Sequence, residues 1–120
     1  AVAGEQDGRD AHAVQAGHGS LLVPHDTYAR FLAPADSAAL LERDGHVLLL
    51  PLAGPVAGGL LLKQRNLAGD RVLHAPELLA RCGHGDTEAE RAYPVHWSDA
   101  DGALWIEGLV PTAPSGLYRQ

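Results

Sequence analysis

Residues Gly45–Ala75 read GHVLLLPLAGPVAGGLLLKQRNLAGDRVLHA, and this stretch decides the fold class. His46 to Leu52 carries five branched apolar residues and too few polar ones for an amphipathic helix. Pro51, Gly54, Pro55, Gly58 and Gly59 would interrupt a helix repeatedly. Leu60 to Asn66 and Arg71 to Ala75 are two further short runs separated by LAGD, the pattern of a hairpin. The middle of the chain therefore reads as one buried strand followed by a strand pair. A four-residue loop, Leu67 to Asp70, gathers Leu60, Leu62, Leu73 and Ala75 on one face and Lys63, Arg65, Val72 and His74 on the other. A three-residue loop would set Arg65 opposite Arg71 and mix the faces.

Upstream, Ala33 to Gly45 has helix formers at Ala38 to Glu42, Pro34 in a first-turn position and Gly45 as a C-terminal cap, which predicts a helix. Ser20 to Pro24 predicts a short strand, Pro24 to Asp26 a turn, and Tyr28 to Leu32 a strand or irregular apolar segment. Residues 1–19 contain Val2 and Val14 as their only large apolar side chains and read as a flexible tail. Downstream, PELLARC (Pro76 to Cys82) has Pro at the first helical position and Gly83 after it, a second short helix. Gly83 to Ala92 is a polar loop with room for a helical turn over Thr87 to Arg91. With Asp101-Gly102 as a two-residue turn, Tyr93 to Leu109 forms a last hairpin. It has Val95, Trp97, Leu104 and Ile106 on one face and His96, Ser98, Trp105 and Glu107 on the other. Residues 111–120 read as an extended C-terminal tail, leaving a single domain over residues 20–110.

At 120 residues the chain is long enough for one core and too short for two. Its net charge of −6 argues against a nucleic-acid partner, because phosphate neutralisation needs an excess of Lys and Arg. No apolar run approaches the roughly 18 residues of a membrane span, so no membrane partner is expected. One cysteine, Cys82, precludes an intrachain disulfide, and a cytoplasmic location follows as the expectation. A single Lys beside eight Arg, with abundant Ala, Leu and Gly, suggests a GC-rich bacterial coding bias.

Four groups of residues could carry chemistry. Lys63, Arg65, Arg71 and His74 crowd the central hairpin, and like charges so close call for an anion or a carboxylate partner. Cys82 and His84, among seven histidines, offer thiolate and imidazole ligands, although CxxC, HExxH and HxH spacings are all missing. Trp105, on the polar face of the last hairpin, could anchor a partner or stack on a ligand. Catalytic motifs are absent: there is no phosphate loop and no dinucleotide fingerprint, and GHGS at Gly17 to Ser20 lacks the second glycine of a nucleophile elbow.

These observations predict an α+β domain: a mostly antiparallel sheet of five to seven strands, possible closure into a partial barrel, and two short helices. The expected function is a non-enzymatic binding module without a cofactor. Its partner is a protein or small anionic ligand, met through Lys63, Arg65, Arg71, His74 and Trp105. The alternative is a metal-binding protein using Cys82 and His84.

Overall fold

A computed structural model describes residues 12–54, 59–84 and 90–111. Among the described residues nine strands form one sheet: β1 (Ala13–Gly17), β2 (Ser20–Val23), β3 (Ser37–Arg43), β4 (His46–Leu52), β5 (Leu60–Leu61), β6 (Lys63–Gln64), β7 (Arg71–His74), β8 (Arg91–Ser98) and β9 (Ala103–Ile106). The order is β5-β3-β4-β9-β8-β1-β2-β7-β6, every pairing antiparallel. The terminal strands β5 and β6 are neighbours in sequence, separated only by Leu62, whose backbone N–H donates to the Asp36 carbonyl at 2.7 Å. The two ends of the sheet thus meet in a nearly closed barrel. The strand count exceeds the expected five to seven because β1 and β3 lie in segments whose sequence suggested tail and helix, and because Leu62 divides the expected Leu60–Asn66 strand into β5 and β6.

The segment from Ala33 to Gly45 is the main correction. Its helix-forming composition is a weak preference, and β3 instead pairs along all seven residues with β4, from Ser37 opposite Leu52 to Arg43 opposite His46. Asp44 and Gly45, at φ 54° and 80°, make the two-residue turn that this register requires. His18 and Gly19, at 54° and 74°, do the same between β1 and β2. With Val14 and Ala16 fully buried, residues 13–17 are barrel wall rather than tail. Residues 1–11, 55–58, 85–89 and 112–120 lie outside the described residues, and with them most of the expected helical turn over Thr87 to Arg91.

Alternation along the strands builds the core. Val14, Leu21, Val47, Leu49, Leu73, Val95, Leu104 and Ile106 all point inward and are at least nine-tenths buried. Each fully buried Leu or Ile contributes roughly 2 kcal/mol by leaving water. A helical turn, α1 (His25–Thr27), continues as a π-helical turn (Tyr28–Leu32) where the sequence suggested a strand or irregular segment. It follows β2 and plugs one end with Tyr28 and Leu32, while Phe31 stacks on Trp97 at 6.2 Å. Helix α2 (Pro76–Arg81) matches the PELLARC expectation, follows β7 and seats Leu79 in the core at the other end. From there Arg81 grips Glu42 of β3 with both guanidinium nitrogens, at 2.5 and 2.7 Å.

Both late hairpins have the expected faces in a different register. Gln64, not Asn66, stands opposite Arg71, and Lys63 opposite Val72. Ser98, not Ala100, stands opposite Ala103, so the turn spans residues 99–102. Each differs from the expectation by two residues, and a two-residue slip leaves side chains on the same face.

Candidate functional site

The β6–β7 hairpin brings part of the basic group together. Lys63 and Arg65 are exposed and share a face by alternation, with half-buried Val72 opposite Lys63 and exposed His74 two residues further on. β2 continues this face, with half-buried Leu22 opposite Val72 and Ser20 opposite His74. The His74 ring contacts the Ser20 hydroxyl at 3.3 Å. Arg71 belongs to the other face. Its guanidinium carbon lies 4.2 Å from the Tyr28 ring centroid, and its Nη1 donates to the Leu62 carbonyl at 3.1 Å. The Asp36 carboxylate is 3.9 Å from it. Arg71 therefore ties the π-helical turn to the hairpin and is turned away from the Lys63–Arg65 face.

The hairpin tip is built from its own polar side chains. Asn66 Oδ1 accepts the backbone N–H groups of Gly69 and Asp70 at 3.1 and 3.2 Å, and its amide donates to Asp70 Oδ2 at 3.0 Å. Asp70 Oδ1 accepts the backbone N–H of His25 at 2.8 Å, which braces the tip against α1. These donors, Asn66 first and His25 second, hold the Asp70 carboxyl below its ordinary range, with a smaller pull from the Arg65 charge. Gly69, at φ 96°, packs flat on the His25 ring; a Cβ there would stand 2.6 Å from Nδ1. Against this braced tip Leu67 is completely exposed, at 101%. Sequence reading overlooked Leu67, since a lone leucine in a loop gives no periodic signal. Among the described residues neither Lys63 nor Arg65 forms an ion pair within 4.0 Å.

Trp105 lies elsewhere, on the outer face of β4, β9 and β8, opposite His96 on one side and Leu48 on the other. Its ring stacks on His96 (6.0 Å between centroids, 17°) and leans on His46 (5.0 Å, 47°). His96 Nδ1 is 2.6 Å from Glu107 Oε2. The indole N–H donates to Asp101 Oδ2 at 2.8 Å, the same oxygen that accepts the Ser98 hydroxyl at 2.8 Å. These two donors, Trp105 first, hold the Asp101 carboxyl below its ordinary range, and the Arg43 guanidinium pairs with its other oxygen.

Cys82 and His84 flank the end of α2. Burial pushes the Cys82 thiol up, a larger effect than the opposing charge of Arg81. His84 is buried, with Nε2 hydrogen-bonded to the Tyr93 hydroxyl. Among the described residues no three His, Cys, Asp or Glu side chains are grouped to hold a metal ion. None of the described helices is long and apolar enough to cross a membrane. No protein-family model, curated protein or solved structure matches the chain.

Proposed function

We propose that the protein is a non-enzymatic interaction module that binds an acidic peptide segment through the outer face and tip of the β6–β7 hairpin. The observation that carries this reading is that exposed Lys63 and Arg65 lead directly into the fully exposed Leu67, on a tip held by Asn66 and Asp70. A rigid loop loses little conformational entropy on binding, so charge and apolar contact can both contribute to affinity. Leu22 and Val72, half-buried beside the two cations, extend the apolar part of the surface. An acidic segment with one apolar residue complements this pattern better than a small anion does. Two extended cations with Arg71 facing away make no converging cage, and an anion would leave Leu67 unused. Metal binding through Cys82 and His84 has less support. Partial burial of the Cys82 thiol favours its protonated form, and the His84 ring already has a partner.

Titration of isotopically labelled protein with a peptide of Asp and Glu around a central leucine tests this. Saturable shifts are expected at Lys63, Arg65, Leu67 and Val72, weakening as ionic strength rises from about 0.05 to about 0.5 M. The double change Lys63→Ala and Arg65→Ala should weaken binding by at least about tenfold, because it removes both cations that attract the acidic segment. An unchanged affinity in that variant, or no shifts with any acidic peptide, would refute the proposal. Equal response to inorganic phosphate alone would restore the small-anion reading.

A further inference from the structure

We infer a second, independent binding site on the outer face of β4, β9 and β8, shaped for a neutral polyhydroxylated ring such as one sugar residue. A cavity of about 590 Å³ opens there, lined by His46, His96, Ser98, Trp105, Glu107 and Gly108 among others. That size lies within the range of small-molecule sites.

The indole is held in place before any ligand arrives. Its N–H is committed to Asp101, which Ser98 and Arg43 hold in turn, so the Trp105 ring cannot swing freely. A centroid separation of 6.0 Å from the near-parallel His96 ring means that the two rings are offset, which leaves part of the indole face uncovered. Around this apolar face stand hydrogen-bonding groups of both kinds. Glu107 uses one oxygen on His96 and has the second to offer. His96 spends Nδ1 on Glu107 and has Nε2 to offer.

The charge of the lining narrows the ligand class. Among the described residues no Lys or Arg lines the cavity, which disfavours an anion. Among the described residues Glu107 is the single carboxylate of the lining, and no three His, Cys, Asp or Glu side chains are grouped to hold a cation. A purely apolar ligand would strand the imidazoles and the carboxylate. A sugar ring answers these features: its C–H face lies on the indole, and its hydroxyls donate to Glu107 and meet the second ring nitrogen of His96.

The test uses the full chain with glucose, galactose, mannose and N-acetylglucosamine, read by saturation-transfer NMR and by tryptophan emission. At least one sugar should bind saturably at millimolar concentration, with its ring C–H protons receiving the transfer. Glu107→Gln, a change at a half-exposed side chain, should keep the fold and weaken that binding about tenfold, the loss expected for one charged hydrogen bond. Trp105→Ala should abolish it. The inference is overturned if no sugar binds, if Glu107→Gln binds as the wild type does, or if only flat heterocycles such as adenine respond.

Discussion

The hairpins β6–β7 and β8–β9 close their turns with the same chemistry and end in opposite postures. In each, a side chain at the start of the turn accepts backbone N–H groups: Asn66 from Gly69 and Asp70, Ser98 from Asp101. An Asp near the far end, Asp70 or Asp101, bonds back to that side chain. They differ in where the carboxylate places its second bond. Asp70 turns to the His25 backbone on a neighbouring element and leaves the tip standing out, with Leu67 in solvent. Asp101 turns to Trp105 and Arg43 on its own sheet and draws the turn down over that face. Turn type alone therefore does not decide whether a hairpin projects. The outside partner of one carboxylate does.

The strongest test of this contrast is a pair of glycine substitutions. Gly69→Ala meets both a positive φ and the His25 ring, and should cost about 3 kcal/mol in urea unfolding. Gly102→Ala, at φ 63° with nothing within 4 Å of its Cβ, should cost only about 1 kcal/mol. Equal losses would mean that the β6–β7 tip is not braced on α1.

A smaller effect should appear in acid. Both carboxyls are held below their ordinary range, so their contribution to stability is complete above a pH of about 4 and disappears as pH falls through the lowered folded values. Asp70→Asn and Asp101→Asn should each flatten the acid limb of a plot of melting temperature against pH. Only the wild type and Asp70→Asn should show a change in Trp105 emission over that limb, because Asp101 is the carboxylate bonded to the indole. A Trp105 signal that survives in Asp101→Asn would assign it to another group.

Smallest of all is Leu67→Ser, which should move stability by no more than about 0.5 kcal/mol because the side chain is fully exposed. A larger loss would show that Leu67 packs within the chain and is not free to meet a partner.

Much of the architecture was legible because alternation has a period of two. The hairpin faces survive an incorrect register in both places: Lys63 and Arg65 stay together, as do His96 and Trp105, since the slips are of two residues. The misread helix at Ala33 to Gly45 has a specific cause. Asp44-Gly45 is as strong a hairpin signal as Asp101-Gly102, but the Ala and Leu content before it favoured a local reading, and pairing with β4 outweighs that preference. The candidate sites were only partly legible. Lys63 and Arg65 are neighbours along one strand, whereas the contact of His46 with Trp105 depends on β4 lying beside β9, an adjacency across some 60 residues that no local pattern encodes. Alternation already sets Arg71 on the face opposite Val72 and His74, but its contact with Tyr28 depends on tertiary packing that no local pattern encodes.

The one-residue step at Leu62 bears on how the molecule meets other chains. The last strand on each side of the sheet is two residues long, because the segment around Leu62 gives one half to β3 and the other to β7. Among the described residues β5 covers only Ser37 and Ala38 of β3, so the outer edge of β3 from Ala39 to Arg43 has no strand partner there and is the rim on which a visiting strand could pair. Glu42 and its partner Arg81 close the far end of that rim with charge, a feature that opposes the edge-to-edge joining of barrel copies.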